Sequence, residues 1–242
     1  GEDTGVPHAR PRKWPAATRE AMETSMVMIN RRVFGGGLAA TAVASALPAR
    51  AEVEIPTDWA QYFGPEIEDN GKVFKAANTE KLDRIWLRQL VQYRSDEPPG
   101  TVVIDSRNHF LYVLFENQTA LRYGVGVGRE GFQRIGRASI DRRAVWPGWT
   151  PPPEMLKRKP ELPKHMVGGA DNPMGSRALY LMRDGADTGF RIHGTNEPWS
   201  IGLDGSSGCI RLLNEDVIDL YQRCPLGTKV LVLKHLGSRD AT

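Results

Sequence analysis

One stretch decides how this chain is interpreted: Phe190-Arg-Ile-His-Gly-Thr-Asn-Glu-Pro-Trp-Ser-Ile-Gly-Leu-Asp-Gly-Ser-Ser-Gly-Cys-Ile-Arg-Leu-Leu213. It begins as a strand-like run and ends beyond a cysteine that is set among small residues. A thiol becomes a good nucleophile at neutral pH when a neighbouring group takes up its proton. His193, sixteen positions before Cys209, is the candidate for that base. We therefore expect these two residues to form a cysteine–histidine catalytic site.

The residues around the cysteine suit acyl transfer. Ser206, Ser207 and Gly208 are small and leave room for a substrate to approach the backbone. The backbone N–H groups of Gly208 and Cys209 are candidates for stabilising an oxyanion. Arg211 follows the cysteine by two residues, so in an extended chain it points to the same side and is a candidate for binding a substrate carboxylate bidentately.

Several of these residues also have a purely structural interpretation. His193 alone would fit a buried histidine with its hydrogen bonds satisfied. Arg211 would fit an ion pair with Asp204 or Glu215. Asn196 would fit a turn residue. The pairing of His193 with a cysteine set among glycine and serine residues favours the catalytic interpretation.

The two cysteines are not expected to form a disulfide. Cys209 and Cys224 flank a predicted helix of roughly ten residues, which spans about 15 Å. A disulfide needs Cα atoms less than about 7 Å apart. We predict that Cys224 is a small buried residue at the end of that helix. The chain has no Cys-x-x-Cys motif and no histidine pair at ligand spacing, so no metal site is predicted.

The charge of the chain is concentrated at its start. The sequence has 32 basic and 29 acidic residues, and the first 51 residues hold seven of the basic and four of the acidic ones. The remaining 25 basic and 25 acidic residues balance. Because the body is formally neutral, its net charge gives no support to polyanion binding, and nucleic acid is not an expected partner. A composition of 40% hydrophobic and 25% charged residues is typical of a soluble globular protein.

Residues 1–51 are predicted to be a leader that carries a twin-arginine export signal. The pair Arg31-Arg32 precedes thirteen small or apolar residues from Gly35 to Leu47, and Ala49-Arg50-Ala51 follows. The apolar run is shorter than the roughly 20 residues that span a bilayer. The alternative is a buried helix preceded by an arginine pair. We expect export to the periplasm or cell envelope, with no stable membrane anchor after the signal is removed.

After the leader, residues 52–97 are predicted to be a partly helical N-terminal extension. Thr79 is a plausible helix N-cap, and the apolar face would comprise Leu82, Ile85, Trp86, Leu90 and Tyr93. A meander of antiparallel strands is then predicted at 101–105, 109–115 and 119–125. Further strands are predicted at 178–182, 190–193 and 228–233, and Asn214 is expected to cap a helix over 215–223.

Two segments have a competing interpretation. The run from Gly126 to Gly131 matches the dinucleotide pattern GxGxxG, but no helical period follows it over 132–146, so a tight strand connection is favoured. No cofactor is therefore expected. Residues 147–173 are rich in proline and follow Trp146, a candidate substrate contact. Such a segment is either a binding loop or a stiffened surface loop.

The residues quoted above resemble the L,D-transpeptidase family, whose YkuD-type catalytic domain remodels bacterial peptidoglycan. The matching pieces are His193-Gly-Thr-Asn196 and Ser206-Ser-Gly-Cys-Ile-Arg-Leu212. The resemblance covers residues 98–234 as a catalytic domain and leaves 235–242 as a tail. It implies a mainly β fold, an antiparallel sandwich or barrel-like sheet with one or two short helices. It also implies that the carbonyl of Gly194 orients His193.

The resemblance further implies a mechanism without metal or cofactor. Cys209 would attack the bond between diaminopimelate and a terminal D-alanine in a peptidoglycan stem peptide, and pass the acyl group to an amine. Ser206, Ser207 and Asn196 would line the substrate site, and carbapenem-type compounds would act as inhibitors. Many relatives carry a second histidine where this chain has Ser207. Hydrolysis, protein anchoring and non-catalytic peptidoglycan binding are the alternatives, and the presence of Cys209, His193 and Arg211 together argues against the last.

Overall fold

The computed structural model describes residues 56–128, 135–205 and 208–233, and within them the chain is mainly β. The fold class predicted from the sequence is thereby confirmed. The strands are β1 Phe63–Asp69, β2 Lys72–Ala77, β3 Gln89–Gln92, β4 Val102–Asp105, β5 Phe110–Phe115, β6 Thr119–Gly124, β7 Gly126–Gly128, β8 Arg137–Val145, β9 Arg177–Arg183, β10 Ala186–His193, β11 Asp204–Gly205, β12 Ile210–Arg211 and β13 Thr228–Val232. The helices are α1 Pro153–Arg158 and α2 Asn214–Arg223.

Eleven of these strands form one sheet, in the order β11-β7-β12-β10-β9-β8-β13-β4-β5-β6-β3. The meander β4–β5–β6 is antiparallel, as predicted. The sheet as a whole is mixed, because β12 pairs parallel with β10, β11 with β7 and β13 with β4. Strand β13 lies between β8 and β4, in the interior of the sheet.

The main core lies on the face of the sheet that α2 covers. Val217 and Leu220 of α2 pack in one buried cluster with Ile192 of β10 and Ile210 of β12. Burying a side chain of this size contributes about 1.5–3 kcal/mol relative to exposure. Since side chains alternate along a strand, Ile192 and Ile210 direct their sequence neighbours to the opposite face. That opposite face carries the candidate site.

The prediction of a helix from Thr79 onward is wrong. Two short 3₁₀ turns, Thr79–Lys81 and Arg84–Trp86, occupy its first half, and β3 occupies the second. The side chains of Asn78 and Asp83 accept hydrogen bonds from the N–H groups of Glu80 and Ile85, which favours these short turns over a continuous helix. Strand β3 then pairs with β6, so tertiary pairing overrides the helical spacing.

The extension before β3 is a β-hairpin, β1–β2, rather than a helix. Its strand β1 is tied to the large sheet by Asp69, whose carboxylate accepts two hydrogen bonds from Arg177 at 2.6 and 2.7 Å. The carbonyl of Asp69 accepts a third from Trp146 Nε1 at 3.0 Å. At the end of β2, the N–H of Ala77 donates to Glu215 at 2.6 Å. The hairpin is thus anchored to both β9 and α2.

The described residues bear on three other predictions, and the choice between a binding loop and a stiffened surface loop for 147–173 stays open. The GxGxxG pattern begins with strand β7, not with a helix, while its last glycine, Gly131, lies outside the described residues. The proline-rich segment contains α1 and a bridge between Trp149 and Met166. Asn214 does not cap α2 with its side chain. Its Oδ1 instead accepts the N–H of Ser176 at 2.8 Å.

Some predictions concern residues outside the described ranges. The leader over 1–51 with its twin-arginine signal, the tail over 235–242, and the two serines Ser206 and Ser207 belong to this group. Within the described ranges, no helix combines the length and the apolar character needed to cross a bilayer.

Candidate active site

The register of two short parallel strands brings the predicted catalytic residues together. Ile192 pairs with Ile210, and His193 pairs with Arg211. Paired residues of adjacent strands share a face. Cys209 immediately precedes β12, and the charges of Arg191 and Arg211, which lie on that face, act on its thiol. With strands about 4.8 Å apart and about 3.3 Å per residue, the Cα atoms of His193 and Cys209 lie diagonally about 8 Å apart. That separation is within reach of a histidine and a cysteine side chain that point the same way.

His193 is oriented by the residue that follows it. Its Nδ1 lies 2.6 Å from the carbonyl oxygen of Gly194. A carbonyl only accepts, so Nδ1 carries the proton and donates, and Nε2 is left with a free lone pair. Burial, followed by the positive charges of Arg211 and Arg191, lowers the pKa of His193 to about 4, although the carbonyls of Gly194 and Met174 act in the opposite direction. The ring is therefore neutral at pH 7 and available as a base.

Cys209 is a partly exposed free thiol. Burial raises its pKa above the usual value, and this outweighs a hydrogen bond from the backbone of Arg191 and the charges of Arg191 and Arg211. At pH 7 both the thiol and the imidazole are therefore neutral in the resting protein.

Arg211 is a buried cation on the same face, with 9% of its surface exposed. Its Nη2 donates to the carbonyl of Leu203 at 3.4 Å, and its Nε has no hydrogen-bond partner among the described residues. A Cβ atom on Gly126 would lie 2.7 Å from Nη2, and one on Gly205 would contact Nη1. These two glycines provide the space in which the guanidinium lies.

The two ion pairs considered for Arg211 do not form. Asp204 lies 3.1 Å from His109 Nε2, and Glu215 accepts the N–H of Ala77. Within the part of the chain that the structure describes, Arg211 has no salt bridge. Burial lowers the pKa of Arg211, and the charges of Glu197 and Asp204 act in the opposite direction. Because neither carboxylate is bonded to the guanidinium and Nε is unpaired among the described residues, Arg211 is a candidate for binding an anionic ligand.

Gly194 is needed where β10 meets the start of α2. A Cβ atom there would contact Asn214 Oδ1 and would lie 3.0 Å from the N–H of Ser176. Only a glycine lets Asn214 approach closely enough to accept that N–H. The carbonyl that orients His193 is thereby fixed in position.

The sequence pattern of this site is that of a known family. A family model for the L,D-transpeptidase catalytic domain (YkuD) matches residues 99–232. The chain belongs to the L,D-transpeptidase family. The match begins just before β4 and ends with β13, so it includes His193, Cys209 and Arg211.

Relatives with L,D-transpeptidase names cover the same region. The probable L,D-transpeptidase ErfK/SrfK of Escherichia coli K12 is 36% identical over 140 residues, which is 55% of this chain and 44% of the relative. The putative L,D-transpeptidase YqjB of Bacillus subtilis 168 is 34% identical over 134 residues, or 54% of this chain and 69% of the relative. The chain spans about half the length of several curated relatives that it matches.

Two solved structures also resemble the chain. A probable carnitine operon oxidoreductase from Brucella melitensis is 45% identical and covers 64% of this chain and 99% of its own, with a TM-score of 0.43. An L,D-transpeptidase from Mycobacterium smegmatis is 16% identical and covers 55% of this chain and 58% of its own, with a TM-score of 0.40. These names describe those proteins.

The remaining predicted site residues of the L,D-transpeptidase domain are less well placed for substrate. Asn196 donates through Nδ2 to the carbonyl of Asp171 at 2.9 Å, which fits the alternative role of a loop residue. Trp146 is buried, donates to Asp69 and packs edge-on against Phe74, with ring centroids 5.7 Å apart. Gly208 is partly exposed next to Cys209. Substrate contact by Asn196 and Trp146, and the oxyanion role of Gly208, stay predictions.

Cys224 lies where the sequence places it, fully buried at the C-terminal end of α2. It is a free thiol, and burial raises its pKa to about 12. Such a thiol is inert at neutral pH. Among the described residues, no group of three histidine, cysteine, aspartate or glutamate side chains is placed to hold a metal ion.

The sequence analysis missed two contributors to this face, Arg191 and Tyr180. Arg191 precedes His193 by two residues and lies beside Cys209, where its charge and backbone affect the thiol. Tyr180 pairs with Arg191 across β9 and β10. The alternation Arg191-x-His193 was the available signal, since both residues must share the face of the base.

Proposed function

We propose that this chain is a cysteine-dependent L,D-transpeptidase that acts on peptidoglycan stem peptides. The observation that carries the proposal is the parallel register of β10 and β12, which sets His193, Cys209 and Arg211 on one face of the sheet. Family membership supports an enzyme of this kind.

In the first half-reaction, the Cys209 sulfur attacks the carbonyl that joins diaminopimelate to the terminal D-alanine. His193 Nε2 accepts the thiol proton while the C–S bond forms. The C–N bond then breaks, the proton passes to the departing amine of D-alanine, and a thioester remains on Cys209. The N–H groups of Gly208 and Cys209 are proposed to stabilise the oxyanion.

In the second half-reaction, an acceptor amine attacks the thioester. His193 takes a proton from the attacking amine, the C–S bond breaks, and the thiol of Cys209 regains its proton. The new amide is a 3–3 cross-link if the amine belongs to the diaminopimelate of another stem. Arg211 is proposed to hold a carboxylate of the donor, because it is a buried cation that forms no salt bridge among the described residues.

The test of this function uses the purified chain and disaccharide tetrapeptide, with products measured by mass spectrometry. The wild type should release D-alanine and form a cross-linked dimer, and it should be acylated by a carbapenem. Cys209→Ala should lose all three signals. Cys224→Ser is the matched control, since it alters the other thiol, which is buried away from the site. Turnover by Cys209→Ala would show that the nucleophile is another residue.

A second outcome at the same site is transfer of the thioester to water or to a protein amine. Cys209 is partly exposed, so water has access to it. Hydrolysis would yield a tripeptide stem with no dimer, whereas protein anchoring would need an added protein acceptor. The same mass spectra separate these products, so the acceptor is identified in the experiment that tests the chemistry.

We also propose that the chain acts in the periplasm or cell envelope and reaches it by a twin-arginine signal. The support is the Arg31-Arg32 pair ahead of a short apolar run. A reporter that is active only outside the cytoplasm, fused after residue 55, should be exported with the native leader. Replacing both arginines by lysine should block export, because lysine retains the charge but not the arginine pair. Continued export of that variant would refute the twin-arginine route.

A further inference from the structure

The carbonyl that orients the base is itself held by residues 175–177, at the start of β9. The N–H of Gly194 donates to the carbonyl of Arg177 at 3.1 Å. A Cβ atom on Gly175 would lie 2.6 Å from the carbonyl carbon of Gly194, so the two backbones are in direct contact. The oxygen of that carbonyl lies 2.6 Å from His193 Nδ1. A displacement of residues 175–177 would therefore move the atom that orients the imidazole.

Asp69, in the β1–β2 hairpin, holds residues 175–177 through a buried guanidinium. Arg177 donates two hydrogen bonds to the Asp69 carboxylate, at 2.6 and 2.7 Å, and its Nη1 also donates to the carbonyl of Ser176 at 2.7 Å. The two side chains are 6% and 14% exposed, so solvent and salt screen the pair weakly. A bidentate arginine–carboxylate pair is strong and fixes orientation. The carboxylate of the hairpin is thus linked to the backbone that contacts Gly194.

The hairpin makes a second contact on the other side of Gly194. Asn214 Oδ1 accepts the N–H of Ser176 at 2.8 Å, and Ser176 Oγ donates to the carbonyl of Asn214 at 3.2 Å. The next residue, Glu215, accepts the N–H of Ala77 at 2.6 Å. The hairpin therefore holds both elements between which Gly194 lies, the start of β9 and the start of α2.

The orientation of the imidazole decides whether it can act as a base. A neutral imidazole carries one proton, on Nδ1 or on Nε2, and only the Nδ1–H tautomer leaves Nε2 free to accept the proton of the thiol. The carbonyl of Gly194 selects that tautomer, because a carbonyl accepts hydrogen bonds and does not donate them. If this carbonyl moved away, the Nε2–H tautomer would become populated and could not take up the proton.

We propose that Asp69 is a positioning residue for the catalytic base, acting through Arg177 and Gly194 to keep His193 in the Nδ1–H tautomer. The inference rests on the proposed function, in which His193 is the base. Asp69 lies on β1, before the family match that begins at residue 99. The N-terminal extension of this chain therefore completes the catalytic site, although it contributes no group that touches the reacting atoms.

The test replaces the carboxylate by an amide in Asp69→Asn. The amide offers one acceptor oxygen to a guanidinium that donates two hydrogen bonds, so residues 175–177 are held less firmly. The rate of carbapenem acylation at pH 7, followed by intact-protein mass spectrometry, should fall about tenfold, since a displacement of about 1 Å in a catalytic group can cost about 100-fold. Circular dichroism checks that the variant is folded.

A spectroscopic measurement separates positioning from loss of stability. The nitrogen chemical shifts of ¹⁵N-histidine-labelled protein distinguish a protonated from an unprotonated ring nitrogen, and His193→Gln identifies the signals of the base. The wild type should show a protonated Nδ1 and an unprotonated Nε2. In Asp69→Asn the two shifts should approach each other, as both tautomers become populated. A substitution that only destabilises the fold would leave the tautomer of the folded protein unchanged.

Glu97→Gln is the matched control. Glu97 also belongs to the N-terminal extension, and its carboxylate accepts two hydrogen bonds from Arg137 of β8, at 2.6 and 2.9 Å. This variant should keep the rate and the nitrogen shifts of the wild type. Asp69→Glu retains the charge and displaces the carboxylate by one methylene. It should fold and show a rate between those of wild type and Asp69→Asn, so the inference stays testable if Asp69→Asn does not fold.

Wild-type rates and nitrogen shifts in every folded Asp69 variant would refute the positioning role and leave the proposed function intact. A lower rate with an unchanged tautomer would refute it as well. Failure of the wild type to be acylated at Cys209 would instead count against the proposed function.

Discussion

The pH dependence of Cys209 acylation tests the central electrostatic feature of the site. Burial lowers the pKa of His193 to about 4, well below the 6.5 of a free histidine. This lowering corresponds to roughly 3 kcal/mol against placing a proton on the ring. At pH 5.5, about 97% of such a histidine is neutral, compared with about 9% of a histidine whose pKa is 6.5. The base should therefore stay functional in moderately acidic solution.

The assay measures the second-order rate of carbapenem acylation between pH 4 and pH 8 at constant ionic strength. We expect a plateau that extends below pH 6 and a half-maximal rate near pH 4. Circular dichroism at each pH checks that the protein is folded. A half-maximal rate near pH 6.5 in folded protein would refute the view that His193 is a desolvated neutral base. A rate that tracks thiolate formation above pH 9 would also refute it, because it would remove His193 from the proton transfer.

Three further predictions use the same structure. Cys224→Ser should keep the acylation rate but lower the free energy of unfolding by about 1–3 kcal/mol in urea titration, because a hydroxyl replaces a buried thiol in an apolar cluster. Gly126→Ala should raise the KM for donor, since its Cβ would lie 2.7 Å from Arg211 Nη2, and an unchanged KM would contradict the role of that guanidinium. Burial raises the pKa of Asp216 to about 7, so the folded state favours the protonated carboxyl. The stability that this provides is fully present below the unfolded-state pKa of Asp216 and is lost as pH rises through 7. Asp216→Asn should thus stabilise the protein at pH 8, by no more than about 4 kcal/mol, and a loss of stability there would contradict the raised pKa.

Local sequence was sufficient to predict those strands that are rich in residues with high β-propensity. The runs over β4, β5 and β6 combine branched and aromatic residues with short polar turns, and they form the predicted antiparallel meander. The prediction of a helix over 79–93 was wrong, because the apolar spacing fits a helix whereas the observed structure depends on pairing with another strand. β3 exists through its pairing with β6, which the local sequence does not contain.

For the candidate site as well, local sequence predicts some features and strand pairing determines the others. His193, Cys209 and Arg211 could be named from residue types and their spacing within one stretch. Their common face follows from the register of β10 against β12, and the position of Tyr180 next to Arg191 follows from the register of β9 against β10. These pairings join residues distant in sequence, so no local pattern predicts them. The side chain of Asn214 likewise serves Ser176 and not its own helix, because β9 approaches it in the folded chain.

The ion pair between Asp69 and Arg177 has a consequence for protein engineering. The family match begins at residue 99, and an expression fragment cut there would omit the β1–β2 hairpin and β3. Arg177, whose side chain is 6% exposed in the intact chain, would then lose the carboxylate that binds it bidentately, and Ala77 would no longer donate to Glu215. Strand β6 would become an unpaired edge strand of the sheet, and exposed edge strands promote aggregation. The smallest fragment expected to fold therefore starts at about residue 56, well before the conserved-domain boundary that a cloning strategy would otherwise follow.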